Sequence, residues 1–405
     1  HSRLTYTQVA AMIAQHGDRD SGIRKQFHAV VEHVDHLYDL FLALLGRREI
    51  RGAIDFDSQE TRILFDAERK IQQIVPSERT EAHRLIEECM LCANVCTATL
   101  LEKSKLPALY RIHQRPRQEK LANLREFLGE IGLGLPGGDE PSPKDFQQVL
   151  LKIAGRPDAG VIQTVILRTM NQAVYDPEND GHFGLNYSAY AHFTSPIRRY
   201  PDLLVHRALR YLIRKKGKVS HTRQVEGAPV LSAASIYPYD EQWMINSGEH
   251  CSMTERRADE ATRDVVNWLK CEYLLSRVGD EYEGVVVSVT GFGLFVQLTE
   301  LFIEGLVHIT GLPKDYYYHE AAHHRLVGER TKRVFRLGDK LRVRVSRVAL
   351  DERKIDFDLV EEGKKGRKAP SAGPKATALA AEHEQSVRKR GKTGKSRSGK
   401  SATKT

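Results

Sequence analysis

Apolar residues in the first part of the chain recur at helical spacing. Ile23, Phe27, Val30, Val31, Val34, Leu37, Tyr38, Phe41, Leu44 and Leu45 predict one amphipathic helix, with Gly46 as its end. An alternating stretch, GAIDFDSQETRILFD (52–66), predicts a hairpin, so residues 1–110 read as mainly helical. LPGGDEPSP (135–143) is a loop, and helical character resumes from Lys144. After a polar stretch at 215–230, CSMTERRADEATRDVVNWLKCEYLL (251–275) predicts a long helix. Ser252 and Glu255 there have capping-box spacing, although the helix could begin earlier. At Gly279 the period switches from helical to two. YEGVVVSVTGFGLFVQL, FIEGLVHI and DKLRVRVSRVALDERKIDFDLV predict about five short strands, which suits an OB-type barrel.

One stretch obeys neither period. In YAHFTSPIRRYPDLLVH (190–206), Pro196 fixes its own φ and Pro201 keeps Tyr200 out of the α region. Arg198 and Arg199 therefore sit on a stiff mount, and Asp202 opens an apolar helix with proline in its first turn. Two readings follow: guanidinium groups aimed at a phosphate, or a buried ion pair with a carboxylate elsewhere in the fold.

Charge divides the chain sharply. The 405 residues carry a net charge of +9. Residues 361–405 alone hold 13 lysines and arginines against 4 acids, so residues 1–360 balance to zero. That tail, rich in Gly, Ser, Lys and Ala, reads as a disordered arm for a polyanion. No run of 18 apolar residues exists, so no membrane span is predicted, and HSRLTYTQVAAMIAQHG lacks the apolar core of a signal peptide. A start without methionine reads as a fragment or a processed form. Five cysteines in this length argue for a reducing compartment. Cys89, Cys92 and Cys96 fall with Leu85 on one face of a predicted helix, so core packing is expected there rather than zinc.

Candidate chemistry is sparse. Asp55-Phe56-Asp57 and Asp356-Phe357-Asp358 offer paired carboxylates of the kind magnesium takes, but both sit in alternating patterns and read as strand surface. No P-loop, HExxH or Ser-His-Asp order appears. The barrel segment offers more. Phe292 and Phe295 flank glycine, with His308, Arg344 and Arg347 on later strands, a set suited to stacking single-stranded bases beside cations. Burial of one of the two phenylalanines in the barrel core is the competing expectation.

HFGLNYSAYAHFTSPIRRYPDLLVH (182–206) resembles the signature of the RNB domain, the catalytic domain of the ribonuclease II family. LYRIHQRP (109–116), IEECMLCANV (86–95) and HCSMTERRADEATRD (250–264) are similar to further segments of that family. Residues 279–360 resemble the RNA-binding domain of the ribosomal protein S-one type. The resemblance implies an α+β multidomain chain: residues 1–278 as the helix-rich C-terminal part of an RNB catalytic domain, 279–360 as an OB-fold β-barrel, and 361–405 as a disordered basic tail. It implies a processive 3′→5′ exoribonuclease acting through magnesium-activated water. The enzyme would release nucleoside 5′-monophosphates from RNA, structured RNA included, in decay and quality control. By the same resemblance Arg198 falls on the catalytic arginine and Tyr110 on the aromatic that clamps the 3′-terminal base, while Arg199 and His206 take channel or structural roles. Thr262 stands where some relatives carry glutamate.

The aspartates that hold Mg2+ in the family have no counterpart here, and neither do its cold-shock and helix-turn-helix regions. All are expected upstream of His1, which would leave this fragment inactive alone. Implied partners are single-stranded RNA 3′ ends, and the ribosome or other RNA-decay factors through the tail, in the cytoplasm. The alternative is a non-catalytic single-stranded RNA-binding module.

Overall fold

Thr5 opens the first helix as part of a capping box, its side chain accepting the Gln8 amide at 3.2 Å. The computed structural model describes residues 2–18, 22–56, 61–156, 158–215, 232–321 and 323–360. Asp57 and the basic tail lie outside the described residues. Helices α1 (Tyr6–Ala14), α2 (Gly22–Gln26) and α3 (His28–Arg51) precede a hairpin of β1 (Thr61–Phe65) and β2 (Ile71–Pro76), and α4 (Glu81–Ser104) follows. Met12, Ile13, Val34, Phe41, Ala82 and Leu85 form the core shared by α1, α3 and α4.

Several expectations are corrected here. α3 runs through Gly46 and ends at Gly52, whose φ of 78° makes the left-handed cap and where a Cβ would collide with Lys144. Gly46 costs the helix only propensity and meets no neighbour. The hairpin lies further along than expected because Ile54 is buried elsewhere, donating its amide to Gly184 O at 2.8 Å. The cysteines do not form the buried stripe of α4. Ala82, Leu85, Glu88, Asn94, Thr97, Ala98 and Leu101 do, and Cys92 and Cys96 are exposed.

Next come β3 (Tyr110–Ile112), α5 (Gln118–Glu130), α6 (Pro143–Ile153), α7 (Ala159–Thr169) and β4 (Val174–Asp176). α5, α6 and α7 close on a second core through Leu124, Leu128, Phe146, Ile153, Ile162 and Ile166. β3 pairs antiparallel with β4, Tyr110 opposite Asp176. α8 (Tyr200–Lys215), α9 (Ala233–Ile236) and α10 (Glu241–Leu275) complete the helical part. α10 starts at Glu241, well before Ser252, at an Asp240 cap that accepts from the Trp243 amide, so the Ser252–Glu255 spacing is not a cap.

The C-terminal strands are β5 (Glu281–Thr290), β6 (Gly293–Leu298) and β7 (Glu304–His308), then, after a 3-10 turn, β8 (Tyr317–Glu320), β9 (Arg325–Gly328), β10 (Val334–Arg336), β11 (Lys340–Ala349) and β12 (Lys354–Leu359). Five of them close a barrel in the order β11-β12-β7-β6-β5 around Val286, Leu294, Val296, Val307, Val343 and Phe357, as the alternation predicted. Asp356 and Asp358 flank the buried Phe357 and point away from the core. A separate three-stranded sheet, β10-β9-β8, lies in the connection before β11. Leu337 packs against the α5–α7 core, and a Cβ at Gly338 would meet Val161 at 2.6 Å. Barrel and helical part are therefore in direct contact.

Candidate functional site

The prolines hold residues 195–202 in a tight turn whose geometry Asp202 fixes. Asp202 has no solvent exposure. Its Oδ1 accepts the Ser195 amide at 2.7 Å and Arg199 Nη2 at 2.8 Å, and its Oδ2 accepts Arg199 Nε at 2.9 Å. The amides of Arg198 and Arg199 both donate to Ser195 O. Arg199 is thus the ion-pair reading realised, a guanidinium spent on a buried carboxylate. Arg198 has the opposite environment. It is exposed and has no ion pair or side-chain hydrogen bond among the described residues. His206 braces the same turn from α8, stacking on Phe193 at 4.4 Å between ring centres and hydrogen-bonded to Phe193 O at 3.0 Å.

Behind the turn lies a buried polar network that sequence reasoning missed. Asn94 of α4 donates to the Tyr190 hydroxyl at 2.9 Å and accepts the Phe193 amide at 3.0 Å. The Tyr175 hydroxyl is 2.8 Å from His192 Nδ1. Arg111 lies over the Tyr175 ring at 4.6 Å and donates to Glu255 of α10 at 2.7 Å. Ser252 accepts the Tyr175 amide at 2.9 Å and donates to Gly248 O at 2.8 Å, joining α10 to β4. His113 Nδ1 accepts the Gly184 amide at 2.9 Å, so its hydrogen bond to Asn171 O at 2.7 Å is donated by Nε2–H, and the ring is neutral. Burial, followed by the charge of Arg199, pushes His192 down to about 2. Burial pushes His182 down to about 3. The available signal was polar residues sharing a helix face with apolar ones, as Glu88, Asn94 and Thr97 do with Leu85 and Leu101 of α4.

Tyr110, expected at the 3′-terminal base, is 6% exposed and packs with Leu109, Ile112 and Leu204. Its ring has no open face for a base, and burial pushes its phenol up to about 12.

On the barrel, Phe292 is 50% exposed and meets the half-buried Phe295 edge-on at 6.0 Å. Phe295 opposes Leu306, which opposes Asp356, which opposes Arg347. That cross-strand row places Arg347, like Phe295, on the outer wall of the barrel, three strands further round the closed sheet. His308, opposite Gly293, shares the face. Arg344 does not join it: it opposes Glu281 near the start of β5 and donates to that carboxylate at 2.6 Å.

Among the described residues, no group of three or more His, Cys, Asp and Glu side chains is placed to hold a metal ion. Near the turn, Asp202 is taken by Arg199 and Glu255 by Arg111, and Asp55 pairs with Arg48 at 3.1 Å. These carboxylates do not fit a magnesium site, which needs open oxygens in octahedral array. The cysteines do not fit zinc either.

The sequence matches the RNB domain over residues 1–215 and the S1 RNA binding domain over residues 276–359. Ribonuclease R of Escherichia coli is 50% identical over 361 residues, covering 89% of this chain and 43% of that protein. Ribonuclease R of Vibrio cholerae is 50% identical over 367 residues, covering 91% and 43%. The chain thus spans less than half the length of these curated relatives. The solved RNase R of Mycoplasma genitalium, in complex with ribose methylated single-stranded RNA, superposes with a TM-score of 0.77 at 25% identity over 88% of this chain and 53% of that one. Yeast Ssd1, a pseudonuclease, shares the fold at a TM-score of 0.55 and 20% identity, so fold alone does not decide activity. With its domain model matched over more than half the chain, and that match taking in the arginine turn and most of the network behind it, the chain belongs to the RNB family.

Proposed function

We propose that this chain is the phosphate-holding and RNA-gripping part of a processive 3′→5′ exoribonuclease that releases nucleoside 5′-monophosphates from single-stranded 3′ ends and from structured RNA. The observation that carries this reading is the asymmetry of Arg198 and Arg199. One guanidinium locks the turn through buried Asp202, and its neighbour stands exposed on the locked turn with no ion pair among the described residues. A fixed, unspent arginine suits a scissile phosphate, where its planar fork can donate to the non-bridging oxygens and hold them as charge develops. The similarity to Ribonuclease R over 89% of the chain supports the same assignment.

RNB nucleases in general depend on a metal, and we assign that metal as Mg2+. Its ligands would come from outside the described residues, because no group of three or more ligating side chains among them is placed to hold a metal ion. Phe292, Phe295, His308 and Arg347 form the grip on the incoming strand, consistent with the S1 match. The tail, at net +9, would reach polyanions such as ribosomal RNA. A cytoplasmic site fits an RNA substrate and the free thiols of all five cysteines. The test is turnover of single-stranded RNA by the full-length protein with Arg198→Ala and Arg198→Lys. Loss in both, with RNA still bound, supports the clamp; near-normal turnover overturns it.

A further inference from the structure

The sheet β10-β9-β8 has two unlike faces. Tyr317, Leu326 and Phe335 turn inward and are buried in the barrel core. On the outer face, Tyr318, Val327 and Val334 stand in register across the three strands. Tyr316 is 68% exposed and Tyr318 44%, and the two rings meet edge-on at 5.7 Å. Nothing among the described residues covers these tyrosines, although the sheet beneath them is held firmly. Its β8–β9 turn docks on α5, where His323 sits 3.1 Å from Glu126 and 3.0 Å from Glu130, and His324 lies edge-on to Phe127.

Around the two rings, exposed cations outnumber the acids that have no cationic partner. The local acids are engaged: Asp315 accepts from Thr331 and the Arg330 amide, Glu320 pairs with Arg325, and Glu329 takes the Tyr318 hydroxyl. Lys314, Arg330 and Lys332 are exposed and have no ion pair among the described residues. Exposed rings on a sheet anchored to α5, rimmed by exposed cations that make no ion pair among the described residues, match an anionic chain bearing flat bases. An acidic peptide would use the cations but leave the ring faces idle.

We propose that Tyr316 and Tyr318 form a second stacking platform for single-stranded RNA, separate from the Phe292 and Phe295 surface. The proposal rests on the reading of this chain as an RNA-gripping element and extends it to a new surface. β8 is the edge strand of its sheet, and Gly291, next to Phe292, approaches the far face of that strand so closely that a Cβ on it would lie 3.9 Å from His319 Cβ. One RNA strand can therefore cross the Phe292 surface and continue round β8 onto Tyr318.

The test is binding of the full chain to an end-labelled 20-nucleotide oligouridylate, with Tyr316→Ala/Tyr318→Ala compared with Phe292→Ala/Phe295→Ala. The tyrosine pair should weaken binding about tenfold, the scale of one lost stack, with an unchanged salt slope because no charge is removed. Melting temperature should stay constant, Tyr→Phe at both positions should bind normally, and Tyr→Leu should not. Unchanged affinity in the alanine pair overturns the platform, as does full rescue by leucine. So does concentration-dependent self-association, seen by sedimentation and abolished by the alanine pair, which would make the face a contact between two copies. If the phenylalanine pair weakens binding and the tyrosine pair does not, only this proposal fails. If the unmodified chain does not bind the oligonucleotide at all, the underlying reading fails with it.

Discussion

Arg198 and Arg199 are neighbours with opposite consequences on removal. Arg198→Ala in the full-length protein should cut turnover by about two to three orders of magnitude, the scale of one preorganised donor, without shifting the melting temperature, since its side chain is exposed and unpaired. Arg199→Ala leaves Asp202 buried without its partner and should cost about 3–5 kcal/mol of stability, read by urea unfolding. A variant pair with interchanged effects would reverse the two roles. Tyr110 separates packing from stacking. Tyr110→Ala should destabilise by about 3–5 kcal/mol as a core truncation, and Tyr110→Phe should be silent in both stability and end-product length. Altered end products with normal stability in Tyr110→Ala would restore the base clamp.

At the scale of elements, the network of β3, β4, α4, α10 and the 182–206 segment holds histidines that folding keeps neutral. His182 and His192 are pushed far below the ordinary imidazole value by burial, so the unfolded chain binds protons that the folded chain refuses. Stability therefore falls as pH drops below about 6.5, and continues to fall until the folded values near 3 and 2 are reached. Each histidine contributes a slope of up to about 1.4 kcal/mol per pH unit. Urea unfolding at pH 7, 6 and 5 should show this decline, and His192→Gln should make it shallower; a pH-independent midpoint would mean that the rings are solvated. The barrel was legible in the sequence because each strand has one buried face, and alternation records that directly. The Arg198 mount was legible in part, through the two prolines that mark it, but Tyr200, expected outside the α region, is the first residue of α8. The network was not, because each member looks ordinary in its own segment: Ser252 and Glu255 imitate a cap in mid-helix, and Asn94 acquires meaning only when residues 190–193 arrive 96 positions later. The cysteine face failed for the same reason, since helical spacing tells which residues share a face and not which face a partner covers.

For the whole molecule, the proposed function divides the work of binding between the neutral body and the basic arm. Residues 361–405 carry the entire excess of +9, and the barrel row of Phe292, Phe295, His308 and Arg347 supplies stacking with little net charge. Affinity of this chain for single-stranded RNA should fall steeply with salt, each phosphate neutralised by the arm adding about −0.7 to the log–log slope. Deleting 361–405 should flatten that slope and leave a weaker, less salt-sensitive affinity that Phe292→Ala/Phe295→Ala then removes. Because no group of three or more ligating side chains among the described residues is placed to hold a metal ion, and Asp202 and Glu255 are taken by arginines, the same chain should bind RNA without releasing mononucleotides, with or without magnesium. Mononucleotide release that depends on magnesium would place a metal site within this chain. Asp55, exposed and paired with Arg48 and Arg79, would then be the carboxylate to replace, and Asp55→Asn should abolish the release.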